Sequence, residues 1–202
     1  MIQLSSDHWA GAPDSITSHI GGLSRGANIY LMIDKPFRGN PRFSAAFGIG
    51  VGTSHIFFKK MFVDISSVNA RLPFTAADSL QHFKKFKVAT SFLEIPLELR
   101  FTSDPGNSNK AIKAAHGIKL GTLLNAHIKG KTLQDASGKT IIAYTQKQST
   151  KSYFNASRIA VTGRIGYGIF SLLGAYNLTT LFKDGVAADM KLYQIGFTIS
   201  GL

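Results

Sequence analysis

Cysteine is absent from the 202 residues, so this is no disulfide-stapled mini-domain, and the chain suits passage, unfolded, through an oxidising compartment. Long apolar runs are lacking too. No stretch approaches the roughly 20 consecutive apolar residues of a transmembrane helix, so any membrane crossing has to be made by strands. Acidic residues are few, 11 against 23 Lys and Arg, for a net charge of +12. Such an excess invites a nucleic-acid reading. The distribution argues against it, because Lys59, Lys60, Lys84, Lys85, Lys87, Lys129, Lys131, Lys139, Lys147 and Lys151 fall mostly between strand-like segments and not along one helix. A solvated loop surface accounts for them, and attraction to anionic headgroups is the sharper alternative. No charged and apolar leader pattern opens the sequence at Met1, so an exported chain is expected to have had a leader ahead of MIQLSSDHW. No HExxH spacing or nucleophile motif occurs, and no cofactor or metal is expected.

What is present is a period of two. With 44% hydrophobic residues and 15 phenylalanines the chain is not disordered, and eight segments alternate. In FLEIPLELRF, Leu93, Ile95, Leu97, Leu99 and Phe101 share one face, while Glu94, Pro96, Glu98 and Arg100 share the other. RFSAAFGIGVGTS sets Phe43, Ala45, Phe47, Ile49 and Val51 against Ser44, Ala46, Gly48, Gly50 and Gly52. GLSRGANIYLMID sets Leu23, Ala27, Ile29, Leu31 and Ile33 against Ser24, Gly26, Asn28, Tyr30 and Asp34. IKAAHGIKLGTLLNAHI sets Ile112, Ile118, Leu120, Leu124 and Ile128 against Lys113, Gly117, Lys119, Gly121 and Asn125. SRIAVTGRIGY, FSLLGAYNL, YQIGFTISG and the short MIQLSSDHW complete the set.

Connections alternate in length. RGNP at Arg38 to Pro41, SDPGNSNK at Ser103 to Lys110, and Gly168 with Ile169 are short. AGAPDSITSHIG, the stretches from about Lys59 to Val88 and from about Lys129 to Tyr153, and FKDGVAAD are longer. Short periplasmic turns and longer extracellular loops on an even number of strands produce this rhythm. A soluble lipocalin-like carrier is the alternative, with its apolar face turned inward. Side-chain size separates the two: the non-apolar faces of FGIGVG, GRIGYG and YQIGFTISG are built from Gly, Ala, Ser and Thr, which suit a cramped interior and weaken a solvent-facing strand. Trp9, Phe37, Phe57, Phe58, Phe92, Phe101, Tyr153, Phe154, Tyr167, Phe170 and Phe182 lie near strand ends, where interfacial girdles sit.

The reading is therefore all-β: an eight-stranded antiparallel up-and-down transmembrane β-barrel, one domain over residues 1–202. The FLEIPLELRF strand, the following IKLGTLLNAH, the GRIGYGIFSLLGAYNLTTLFKDG stretch and the closing YQIGFTISG resemble the PorT-like outer-membrane β-barrel family of Bacteroidetes (outer membrane protein beta-barrel domain). The resemblance runs from about Asp14 onward, and LEIPLELR is its most specific element. It implies a bacterial outer-membrane location and a barrel without assigned activity. Some members of the wider family serve the type IX secretion machinery, a role that fold-level likeness does not carry over. Gln194, Gly196 and Ile199 follow the alternation of barrel insertion signals, with Ser200, Gly201 and Leu202 in place of a terminal aromatic.

With the small face inward, Asp34, Glu94, Glu98, Arg100, Lys113, Lys119, Arg158 and Arg164 project into the lumen. Buried charges must pair, so Glu94 and Glu98 are expected to form an ion-pair lattice with some of Arg100, Lys119, Arg158 and Arg164, filling the barrel as a polar plug. The function expected is that of a structural, adhesive or secretion-accessory envelope component and not of an enzyme. Its partners are outer-membrane lipid and lipopolysaccharide, with an envelope protein engaged through the extracellular loops; the barrel itself is a monomer. A barrel enzyme acting on outer-membrane lipid is the alternative, and its nearest local cluster is Asp7 and His8 beside Ser5 and Ser6. His19, His55, His82, His116 and His127 belong to no motif, and His116 falls on the outward face. AADSLQHFKKF at Ala76 to Phe86 is read as a helical turn from the spacing of Leu80, Phe83 and Phe86.

Overall fold

Alternation decides this fold, because successive side chains of a strand leave opposite faces. The computed structural model describes residues 1–22, 24–77 and 81–200. Its strands are β1 (Ile2–Ala10), β2 (Arg25–Pro36), β3 (Phe43–Phe58), β4 (Met61–Val63), β5 (Phe74–Ala76), β6 (His82–Thr102), β7 (Ile112–Gln134), β8 (Thr140–Ser149), β9 (Ser157–Tyr167), β10 (Phe170–Asn177) and β11 (Lys191–Ile199). Eight of them, β1, β2, β3, β6, β7, β9, β10 and β11, form an antiparallel ring. β1 closes it against β11, from Ile2 opposite Ile199 to Ala10 opposite Lys191.

The apolar face points out. Leu31, Ile33, Leu99, Ile165, Ile195 and Phe197 are exposed around the wall, whereas Gln3, Asp7, Asn28, Tyr30, Glu94 and Thr198 are buried inside it. A surface of this kind is stable against acyl chains and not against water. Phe37, Phe43, Tyr167 and Phe170 stand exposed at the short-turn end, where a girdle belongs.

The other end corrects the aromatic expectation. Trp9, Phe58, Phe92, Tyr153, Phe154 and Phe182 are not girdle residues; they pack together inside the barrel mouth. Inward positions there turn apolar, with Ile56 and Phe58 on β3, Phe86, Val88 and Phe92 on β6, and Leu192 on β11. The long connections fold down onto them, contributing Ile16 from the helical turn Asp14–Thr17, Met61 and Val63 from the β4–β5 hairpin, and Leu181, Phe182 and Met190. Trp9 meets Phe58 and Phe182 edge-on at 5.6 and 5.7 Å between ring centres, a geometry aromatic pairs favour. This end of the lumen is sealed by an apolar plug.

Three further expectations change. β7 carries an extra residue where the register shifts, Phe92 facing Leu123 and Ser91 facing Asn125. Beyond this bulge the faces exchange, so Ile128 is buried in the plug while Asn125 turns outward beside His127. The segment read as a helical turn is strand: Phe83 and Phe86 lie on β6. Its Leu80 lies outside the described residues, as do Leu23, Gly201 and Leu202. The stretch from Lys129 to Tyr153 is no plain loop, since β7 runs on to Gln134 and returns as β8. With β6 these strands form an arm that extends the wall past the ring, because β7 pairs with β9 below and β8 above.

Trp9 is the single tryptophan, and its place in the plug is testable. In vesicles its emission is expected to resist both brominated acyl chains and aqueous acrylamide. Strong quenching by the brominated lipid would place it on the outer wall instead.

Candidate functional site

The lumen gathers the charges, and parity is what delivers them. On β6 the even positions Glu94, Pro96, Glu98 and Arg100 face inward, and β9 answers with Arg158 and Arg164. Two levels of pairing result.

The upper level centres on Glu94, which is fully buried. Arg158 Nη2 donates to its Oε1 and the Tyr30 hydroxyl donates to its Oε2. Lys119 Nζ donates to the Tyr30 hydroxyl at 3.4 Å, so the phenol links the buried ammonium to the carboxylate. The Arg158 guanidinium also lies 4.2 Å over the Phe92 ring, a cation–π contact that joins this level to the plug above. Gly52 makes the pair possible: a Cβ there would run into the Glu94 carboxylate and lie 3.0 Å from Arg158 Nη2.

The lower level centres on Glu98. Arg164 Nη2 donates to its Oε2 at 2.6 Å and Arg100 Nε at 2.9 Å. Arg100 also reaches Asp34 at 3.3 Å, and Ser44 donates to the same Asp34 oxygen at 2.9 Å. Among the described residues Lys113 joins no ion pair; it lines a cavity of about 80 Å³ with Asp34, Ser44, Arg100 and Arg164 at the short-turn end. The eight residues expected from the sequence thus all face the lumen, seven of them in one of the two levels and Lys113 at the mouth below.

Tyr30 and Asp7 were not anticipated as members. Asp7 accepts from Ser5 at 2.6 Å and from Gln194 at 2.9 Å, while Gln3 accepts from Asn28 at 3.3 Å. The signal for both was parity, since Gln3, Ser5 and Asp7 alternate with Ile2, Leu4 and Ser6. Parity also divides the cluster considered for catalysis. Asp7 and Ser5 are inside, whereas Ser6 and His8 are on the outer wall, bonded to each other at 2.9 Å with His8 stacked on Tyr193. A triad needs the carboxylate on the far side of the same imidazole, and here the wall separates them. Among the described residues no group of three or more His, Cys, Asp or Glu side chains is placed to hold a metal ion.

These pairs are costly to break singly. Removing one partner of a buried pair leaves an uncompensated charge, at about 3–5 kcal/mol. Glu94→Ala is therefore expected to lower stability in vesicle-based urea unfolding by about 3–5 kcal/mol, and Glu94→Leu with Arg158→Met to restore most of it. A loss below about 1 kcal/mol, the worth of an exposed pair, would contradict the lattice.

Comparison with known proteins agrees with this geometry. A family model described as outer membrane protein beta-barrel domain matches residues 2–183. No curated protein matches the chain. Among solved structures the chain is similar to Ail, the attachment invasion locus protein of Yersinia pestis, at 12% identity, with a TM-score of 0.33 over 98% of this chain and 93% of that one. A likeness of that grade adds nothing to the family match.

Proposed function

Since the chain belongs to the outer membrane protein beta-barrel domain family and resides in the bacterial outer membrane, we propose that it is a closed anchor displaying a contact surface outside the cell. The role is structural, adhesive or secretion-accessory, and neither transport nor catalysis. One observation carries this reading: the lumen is filled by charge pairs and capped by an apolar plug, while the β6–β7–β8 arm projects beyond the ring. Among the described residues β8 ends the strand order of the sheet, which leaves its outer edge with backbone donors and acceptors that no neighbouring strand pairs. Ile141, Ile142 and Tyr144 are exposed on it. An open edge with apolar side chains suits an extended segment of another envelope or extracellular protein, added as a further strand.

The tip of the arm is braced locally. Asp135 accepts from the Ser137 hydroxyl at 2.7 Å and from the Lys139 and Ser137 N–H groups at 2.9 and 3.0 Å. The Ser137 hydroxyl foremost, and then these N–H groups, hold its carboxyl below the ordinary range. A depressed carboxyl stabilises above its unfolded value and loses that contribution as pH falls through the folded one, so the tip stays formed at neutral pH.

The chain works as one domain and as a monomer, with lipid and lipopolysaccharide around its wall. The resemblance of LEIPLELR supports membership of the PorT-like branch found in Bacteroidetes; that segment lies on β6, the strand that carries Glu94 and Glu98. A lipid-modifying enzyme is disfavoured by the division of Asp7 from His8 across the wall.

A photo-crosslinking residue in place of Ile142 is expected to capture another envelope or extracellular protein on intact cells, and one in place of Ile195 only lipid. The purified barrel is expected to give no channel current in planar bilayers. Steady current, or no protein adduct at position 142, would contradict the reading.

A further inference from the structure

The outer wall carries one feature that neither anchoring nor display explains. Above the apolar band, lysines stand directly opposite one another across three adjacent strands: Lys87 on β6 faces Lys129 on β7, which faces Lys147 on β8. One step further out Lys85 faces Lys131. One step inward the row reads Arg25, His55, Ala89 and His127 on β2, β3, β6 and β7. All these positions share the outward face, since Arg25 has the parity of Ile29, His55 that of Val51, and Lys87 that of Leu93. On β7, Lys129 lies beyond the bulge and is outward for that reason.

Directly opposed side chains lie about 5 Å apart, and like charges so placed destabilise a sheet. The charges acting on Lys87 are Lys129, Arg25 and Lys147, and those on His127 are Lys147, Lys87 and Lys129. Among the described residues no carboxylate pairs with any of them; the ion pairs there all lie in the lumen. Among the described residues the Phe57 ring, 5.7 Å from both Arg25 and Lys87, offers partial relief. The cluster is confined to one side, for beyond Arg25 the row continues into Ser6 and Ile195.

Its height specifies the counter-charge. At roughly 2.5 Å of rise per residue for a strand tilted about 40°, the apolar run Phe43 to Val51 covers about 20 Å, and Phe57, level with Lys87, stands about 15 Å above it. Lysine stems can bend back toward that boundary while their heads seek anions. We propose that Arg25, His55, Lys87, Lys129 and Lys147 form a binding site for the phosphate groups of an outer-leaflet glycolipid. The site deepens the reading of lipid and lipopolysaccharide around the wall, and it rests on the outer-membrane location. Bound phosphates neutralise the opposed lysines and fasten the arm-bearing side of the barrel to its lipid.

The test uses the full chain refolded in nanodiscs, with diphosphorylated lipid A, its dephosphorylated form and inorganic phosphate as probes. Native mass spectrometry is expected to show at least tenfold greater retention of the phosphorylated lipid. Lys87→Gln with Lys129→Gln and Lys147→Gln is expected to abolish that preference, and the Lys→Arg triple variant to keep it. Lys35→Gln with Lys110→Gln, at the opposite end, is expected to leave it unchanged. Without lipid A, the glutamine variant is expected to melt no lower than the unaltered barrel, because repulsion has been removed. Equal retention of both lipids, or a preference that survives the glutamine triple, overturns the site while leaving barrel and membrane location intact. Binding confined to an external anionic polymer or to free phosphate overturns it as well.

Discussion

Backbone closure is the constraint from which the rest follows. In hydrocarbon no water can satisfy an N–H or C=O group, so a strand survives only if both its edges are paired. The ring meets that demand through the seam between β1 and β11. Once closed, it leaves side chains two destinations. Those facing out must be apolar over the lipid band, and those facing in must fill a space that eight strands leave narrow.

The two halves of the lumen are filled by different means. Toward the short-turn end, carboxylates and guanidiniums satisfy one another around Glu94 and Glu98, with the Tyr30 hydroxyl linking Lys119 to Glu94 in the upper level. Toward the long-loop end, the inward positions become aromatic and aliphatic, and the loops supply the missing partners. The change occurs within single strands. β6 passes from Phe86, Val88 and Phe92 to Glu94 and Glu98 without a break in parity. Arg158 bridges the two regimes, paired with Glu94 on one side and stacked on Phe92 on the other.

Much of this was legible in the sequence because parity is a local property. FLEIPLELRF announces its faces without reference to any other strand, so the wall, the short turns and the lumen charges could be read directly. Four things were not. A bulge is one residue of register, visible only against the partner strand, and it moved Ile128 inward and Asn125 outward. The plug requires knowing that the loops turn back into the barrel; an inward Phe58 and an interfacial Phe58 look alike along the chain. The β7–β8 arm was hidden inside an assumed loop, although Asp135 to Lys139 carries turn residues between alternating segments. The outer lysine ladder is likewise a property of register, because Lys87, Lys129 and Lys147 are distant in sequence and meet only when the sheet is assembled.

One face of every ring strand meets lipid and the other meets a packed lumen. The chain has no cysteine, so single cysteines at successive positions 93–99 of β6 can each carry a spin label in vesicles. Oxygen accessibility is expected to rise and fall with a period of two, high at 93, 95, 97 and 99 and low, with an immobilised label, at 94, 96 and 98. Accessibility to a water-soluble nickel reagent at 95, 97 and 99, or an absence of alternation, would contradict it.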